Sequence, residues 1–296
     1  MSISKGKAFA AGAIAVGAAA GAYAGKKIAD QIAWFKNYSK LVDYKLADLG
    51  QTELKDDEGI KLVAHRGYRA AAPENTLPAY EKAGEAGYWG CECDIYMTID
   101  GVWICHHDPM TTRMMDKTRV LEASTYKQLL KLKYTNGHHI DEYPDLHICT
   151  FEEYVQVCAK YNMHAVIEIK YNRNLKHYDK LIDIIKKYGV DATFIAFSFE
   201  DLVRLRELCD NDLYYLVDDI KDEQIERAKT LENCGISYDG NHEANVANDG
   251  EMIKKCHSEG LKTATWAVDD LERIQQLYSY GTQYITTNSV TYTEIK

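Results

Sequence analysis

Ala165-Val166-Ile167-Glu168-Ile169-Lys170 is a short apolar run ending in charge, and Tyr178 to Tyr188 after it is a helix-period segment with Leu181, Ile182 and Ile185 on one face. The pattern repeats at once. Phe194 to Ser198 reads as a strand, Glu200 to Leu208 as a helix and Leu213 to Val217 as a strand again. Short apolar runs alternating with amphipathic helices call for a parallel sheet with helical crossovers. Toward the C-terminus the alternation predicts helix Glu223 to Asn233, strand Ile236 to Asp239, helix Gly250 to Ser258, strand Thr263 to Val268, helix Leu271 to Tyr280 and strand Tyr284 to Thr287. Toward the N-terminus it predicts helix Phe151 to Lys160, strand Gly90 to Tyr96, helix Thr76 to Ala86 and strand Lys61 to His65. Asp100-Gly101 turns the Gly90 strand into a hairpin with Val102 to His107. Thr111 to Leu146 is irregular, with one helix expected at Ser124 to Leu132. With the hairpin arm set aside, the strands suit a closed (β/α)₈ TIM barrel with a short insertion after the hairpin. A doubly wound open sheet is the second choice, weakened by the missing Gly-rich loop after the first strand.

The chain's 296 residues carry 46% hydrophobic and 27% charged side chains, an ordinary globular composition that excludes wholesale disorder. The net charge of −10 and the lack of a dense basic run argue against a nucleic-acid partner. An anionic substrate would need a local cation against that global field. The eight cysteines sit in apolar-patterned segments and read as free, buried thiols. Ahead of the barrel (59–296), residues 1–27 form a hydrophobic segment and residues 28–58 an amphipathic helical linker. Residues 8–25 are uncharged, and fourteen of these 18 are Ala or Gly, with lysines on both flanks. Three readings stay open: a membrane anchor or uncleaved signal, a cleaved signal, and a soluble Ala-rich helix. The favoured expectation is a membrane-anchored or exported protein, with a cytoplasmic location as the alternative.

Active sites of such barrels lie at the strands' C-terminal ends. There the sequence places His65-Arg66-Gly67, Glu92-x-Asp94, His106-His107-Asp108 and Glu168-x-Lys170. Side chains alternate along a strand, so Glu92 and Asp94 share one face while Cys91 and Cys93 share the other. Charges inside apolar strands are expensive to bury unpaired. Three carboxylates, Glu92, Asp94 and Glu168, make an all-oxygen site suited to Mg²⁺ or Ca²⁺ rather than zinc. The competing reading is a salt-bridge network of these carboxylates with Arg66 and Lys170. In the metal reading, Arg66 and Lys170 are free to bind phosphate oxygens. His65 and His107 then supply general acid and base for cleavage of a phosphodiester. His106 points the other way and reads as packing, and His138 and His139 as loop residues in solvent.

The ordered series resembles the glycerophosphodiester phosphodiesterase family. Leu62 to Gly67 with Pro73-Glu74-Asn75-Thr76 is similar to its H-R-G…P-E-N-T signature. Glu92-x-Asp94, Thr98-x-Asp100-Gly101, His107-Asp108-Pro109, Glu168-x-Lys170, Ser198-Phe199 and Trp266 follow in the family's order. The resemblance implies a divalent-metal enzyme, with Ca²⁺ or Mg²⁺, that hydrolyses small glycerophosphodiesters to glycerol 3-phosphate and an alcohol. By position it makes His65 and His107 the catalytic pair and Glu92, Asp94 and Glu168 the metal ligands. Arg66 and Lys170 become phosphate contacts, with Glu74, Asn75 and Trp266 at the substrate site. Two stretches depart from the pattern: the last strand, Gly281 to Asn288, runs to Asn288 where the family tends to have an aspartate near the strand's end, and Ala267-Val268-Asp269 follows Trp266 where Thr-Val-Asn is commoner. A sphingomyelinase-D-like or lysophospholipase-D-like enzyme acting on a lipid diester is the alternative activity. An inactive binding barrel is disfavoured, because no catalytic position is missing.

Overall fold

The computed structural model describes residues 52–55, 59–170 and 177–293. Strand β1 (Thr52–Leu54) stands apart from the main sheet. The barrel begins with β2 (Leu62–Ala64) and β3 (Gly90–Met97), and β4 (Trp103–Cys105) returns antiparallel along the end of β3. It continues through β5 (His164–Ile169), β6 (Ala192–Ala196), β7 (Leu213–Val217), β8 (Cys234–Asp239), β9 (Thr263–Trp266) and β10 (Ile285–Thr287). All neighbours apart from β4 pair parallel, and β10 pairs back onto β2 while β2 pairs β3. The sheet is therefore closed, which excludes the open doubly wound alternative. Strand β11 (Val290–Tyr292) turns off after β10 and pairs with β1. Thr52–Leu54, read from sequence as linker, is thus a strand packed on the barrel, with Leu54 buried.

The crossover helices form where apolar residues recur at helical spacing. Helix α1 (Leu77–Glu85) buries Ala79, Tyr80 and Ala83, and α2 (Tyr126–Leu129) lies in the insertion. Helix α3 (Phe151–Tyr161) buries Phe151, Tyr154, Val155 and Cys158 and opens with a Thr150–Glu153 capping box, two donors satisfied reciprocally. Helix α4 (Tyr178–Tyr188) buries Tyr178, Leu181, Ile182 and Ile185 and ends on Gly189 with φ +63°. Helices α5 (Phe199–Arg206), α6 (Asp222–Ala228), α7 (Glu243–Ser258) and α8 (Leu271–Ser279) complete the ring. Three extents differ most from the sequence reading, and of these α6 stops at Ala228, five residues short of the expected Asn233. Helix α2 has four residues, because the insertion folds over its own small core of Met114, Met115, Leu121, Leu129, Leu132 and Tyr134 instead of along one helix face. Helix α7 starts seven residues before the expected Gly250. Its first turns bury polar Asn245 and Asp249, held by the backbone oxygens of Asp218 and Asp239 and by Arg273, so no apolar period announces them.

The strand register positions the site. Asp94 on β3 lies beside Glu168 on β5. Alternation turns Cys91, Cys93, Ile167 and Ile169 outward into the helix-facing core, while Val63, Val166, Ile195, Tyr214, Ala264 and Tyr284 cluster inside the barrel. All eight cysteines are free; seven are buried and Cys209 is half-buried. Among the described residues no helix is long and apolar enough to cross a membrane. Residues 8–25 and the helix expected at Ile28 to Leu49 lie outside the described residues.

Candidate active site

The His65-Arg66-Gly67 turn follows β2 directly. Gly67 has φ +78°, and a Cβ there would meet Ala79 of α1 at 2.7 Å, so the turn can only press against the helix with glycine. Arg66 itself lies in the left-handed region at φ +60°, a strain on the order of 1 kcal/mol for a non-glycine residue. Two hydrogen bonds hold it there. Its N–H donates to Glu92 Oε2 at 2.7 Å, and its carbonyl accepts from the Asn75 N–H at 2.8 Å. Asn75 clamps Asp94 from both sides, donating from Nδ2 to Oδ2 at 2.7 Å and accepting the Asp94 N–H at 3.1 Å.

Glu92, Asp94 and Glu168 offer carboxylate oxygens that all lie within 4.8 Å of one another, and all three residues are buried. Like charges this close need a cation. Burial, then Asp94 and Glu168, push the Glu92 carboxyl well above its ordinary range. Burial raises Glu168 and Asp94 adds to it, with Lys170 opposing, for a value of about 7. Burial would raise Asp94 too, but Lys170, His107 and Arg66 outweigh it and hold Asp94 ionised. Lys170 Nζ sits between two of the carboxylates, 2.5 Å from Glu168 Oε1 and 2.9 Å from Asp94 Oδ1. The two cations and the acidic group are therefore interleaved, with Arg66 Nε 3.4 Å from Asp94 Oδ2. Glu92 Oε1 is buried without a hydrogen-bond partner among the described residues. A buried carboxylate oxygen left open beside two other carboxylates is a donor set with room for a hard cation.

Two histidines border the acidic group. The His65 Nδ1 lies 2.7 Å from Asn288 Oδ1. Burial, with Arg66 and Arg69, holds its imidazole well below the ordinary value, hence neutral. The His107 Nδ1 lies 2.8 Å from Asp108 Oδ1, and burial, Arg66 and Lys170 lower it to about 4. Arg66 and Asp94 act electrostatically on both rings. His106 is buried, its Nδ1 engaged by the Asp108 backbone. His139 is exposed, whereas His138 is half-buried by the insertion, contrary to the solvent-exposed reading. Trp266 is half-buried at the end of β9, with Phe197 edge-on at 5.8 Å.

The sequence places Glu74 at the site, but not its partners Arg69 and Arg113. Glu74 accepts from Arg66 (3.0 Å) and Arg113 (2.6 Å) and also pairs with Arg69 at 3.3 Å. Arg113, on the insertion, holds Asp108 at 2.7 Å. Asp269 and Asn288 were visible only as departures from a pattern, yet they bond to each other. A cavity of about 520 Å³, lined by Trp89, His164, Tyr214 and Tyr284, lies at the opposite, N-terminal end of the strands, away from these groups.

Comparison with known proteins agrees with the geometry. The human glycerophosphodiester phosphodiesterase 1 is 35% identical over 135 residues, covering 45% of this chain and 39% of that protein. A glycerophosphodiester phosphodiesterase of Arabidopsis thaliana is 25% identical over 206 residues, covering 53% and 55%. The chain thus matches about half or less of the length of these curated relatives. Among solved structures, an Oleispira antarctica phosphodiesterase in complex with the product sn-glycerol-3-phosphate superposes with a TM-score of 0.68 at 23% identity, over 77% of this chain and 93% of that one. A Parabacteroides distasonis glycerophosphodiester phosphodiesterase gives 0.64 at 23% identity, over 79% and 94%. Both share the fold. The family model of the glycerophosphoryl diester phosphodiesterases matches residues 65–291, from the first histidine of the site through β10 and into β11. With the ordered site residues and the closed barrel already in place, that match means the chain belongs to the glycerophosphoryl diester phosphodiesterase family.

Proposed function

We propose that the chain hydrolyses glycerophosphodiesters to glycerol 3-phosphate and an alcohol, with a divalent cation held by Glu92, Asp94 and Glu168. The observation that carries this reading is the triad of buried carboxylates within 4.8 Å, flanked by Arg66, Lys170 and two differently held histidines. A divalent ion there would neutralise the carboxylates and polarise the phosphoryl oxygens. The protein's own groups do the rest. Arg66 and Lys170 receive the anionic phosphate and stabilise the charge that grows on its oxygens. His65 takes the proton from a glycerol hydroxyl as its oxygen bonds to phosphorus. His107 gives a proton to the departing alkoxide as the P–O bond breaks. Water then opens the cyclic phosphate with the two roles reversed. The free-enzyme His107 is held near 4 by burial and two cations; a diester anion placed against those cations favours its protonated form. Glu74 and Asn75 support the site by fixing Arg66 and Asp94, and Trp266 lines the substrate side.

The test is metal-depleted protein assayed for glycerol 3-phosphate release against a panel of glycerophosphodiesters, with Ca²⁺, Mg²⁺ or Mn²⁺ added back. Restoration by one of these ions is expected. Full activity after exhaustive chelation would remove the metal from the scheme. Release of a cyclic lipid phosphate from a lipid diester, in place of glycerol 3-phosphate, would replace the substrate class.

A further inference from the structure

Asp269 and Asn288, the two departures noted in the sequence, form a single hydrogen-bonded unit behind His65. Asp269 Oδ1 accepts from the Thr287 hydroxyl at 2.6 Å and the N–H groups of Asn288 (2.7 Å) and Ser289 (3.2 Å). That fixes the carboxylate against the end of β10. Its other oxygen, Oδ2, accepts from Asn288 Nδ2 at 2.7 Å. A side-chain amide has one donating and one accepting end, so satisfying Asp269 with Nδ2 turns Oδ1 the other way. Oδ1 is then 2.7 Å from His65 Nδ1, and it also takes a long contact from Arg69 Nη1 at 3.4 Å. Arginine can only donate, so this long contact agrees with the orientation that Asp269 sets. An amide oxygen can only accept, and a neutral imidazole carries one proton. His65 Nδ1 must therefore hold that proton, which leaves Nε2 as the bare, basic nitrogen.

We infer that Asn288, oriented by Asp269, is a positioning residue that sets the His65 tautomer and so fixes His65 as the base. This rests on the proposed role of His65. The two departures compensate each other: a carboxylate one residue-shell further out is relayed through an amide to the ring. The same logic predicts the single changes. Asp269→Asn can present an amide Nδ2 to Asn288, whose own amide relieves the donor clash by flipping, and a donor then faces His65 Nδ1. Asn288→Asp sets two carboxylates at hydrogen-bond distance, where they repel or share a proton. The exchange Asp269→Asn with Asn288→Asp restores an acceptor against His65 Nδ1 and a donor behind it.

The experiment has two arms on the full chain. In ¹⁵N-histidine-labelled protein, the His65 ring should show a protonated Nδ1 and bare Nε2 in the wild type. Asp269→Asn should move it toward the Nε2–H form, and the exchanged pair should return it. In the diester assay, each single change should lower kcat by at least about 10-fold with KM little moved, and the exchanged pair should recover most of that loss. A purely structural role would predict the reverse for the pair, with losses that multiply. A wild-type His65 protonated at Nε2, or a tautomer indifferent to Asp269→Asn, overturns the inference. If Asp269→Asn fails to fold, Asn288→Ala, which removes the acceptor from His65 Nδ1, decides it: the ring should lose its preference for the Nδ1–H form, and an unchanged tautomer overturns the inference. A wild type that shows the expected tautomers but releases no glycerol 3-phosphate refutes the proposed function instead, so the two failures are separable.

Discussion

Replacing Glu168 by glutamine separates the two readings of the acidic group. The folded Glu168 titrates at about 7, against 4.5 ordinarily. Above pH 7 the folded protein holds an ionised carboxylate that burial and Asp94 disfavour, a penalty of about 3 kcal/mol relative to the unfolded chain. The sign follows from proton binding. Between pH 4.5 and 7 the folded state retains a proton that the unfolded state has lost, so stability falls as pH rises through this window. Below 4.5 both states are protonated and the penalty is gone. Glutamine never ionises and keeps an oxygen for Lys170. Metal-depleted Glu168→Gln should therefore match the wild type near pH 4 and exceed it by about 3 kcal/mol at pH 8, about 6–12 °C in Tm for a domain of this size. Thermal unfolding followed by circular dichroism from pH 4 to 8 measures this. Millimolar Ca²⁺ or Mg²⁺ should then stabilise the wild type, by about 2.7 kcal/mol at a hundredfold excess over Kd, and raise the variant far less. If the variant is less stable at every pH and the divalent ion makes no distinction, Glu168 is only the ion-pair partner of Lys170 and the metal assignment is wrong.

Four further outcomes follow from the same geometry. His65→Ala and His107→Ala should each lower kcat by at least about 10²-fold, the double variant costing less than the product of the two, while His106→Ala changes kcat far less; an essential His106 would refute the assignment. Lys170→Met should raise KM or lower kcat while leaving metal affinity unchanged or tighter, because a cation beside the carboxylates has gone; weaker metal binding in a titration would contradict it. Glu74→Gln removes the carboxylate shared by three arginines and should destabilise the fold by about 3–5 kcal/mol, measured by urea unfolding; an unchanged midpoint would show that the cluster contributes nothing. A thiol reagent should modify only Cys209 readily in the native protein and all eight cysteines in denaturant; rapid native modification of several thiols would contradict the buried core.

The barrel was legible because its signal is periodic and apolar. Each run such as Ala165 to Ile169 is too hydrophobic to be anything but interior, and alternation alone placed Glu92 opposite Cys93 in facing and beside Asp94. Where burial is polar, the pattern fails. The first two turns of α7 are anchored by Asn245 and Asp249, residues that look like loop in sequence and become helix only because Arg273 and two backbone carbonyls satisfy them. The β1–β11 pair was invisible for another reason. Three-residue strands carry no period, and their pairing joins segments at opposite ends of the barrel's sequence.

The same distinction explains which part of the site the sequence could reach. His65, Glu92, Asp94, His107 and Glu168 are recognisable by residue type at strand ends. What holds them is not, because it consists of long-range partners. Glu74 reaches Arg66 in the turn after β2 and Arg113 in the insertion, and Arg113 in turn grips Asp108 beside His107. Burial disfavours the Glu74 carboxylate, but Arg66, Arg113 and Arg69 together keep it firmly ionised. One carboxylate thus fixes the angle between the turn that carries His65 and the loop that carries His107. The strand register ties both segments to β3, through β2–β3 and β3–β4 pairing, and the Glu74 ion pairs add a side-chain link between them. The insertion supplies that link through Arg113, while its own apolar cluster of Met114, Leu121 and Leu129 packs with Tyr96 and Ile104 of the hairpin. A segment that looks like an irregular excursion in sequence is a brace between the two segments that carry the proposed acid-base pair.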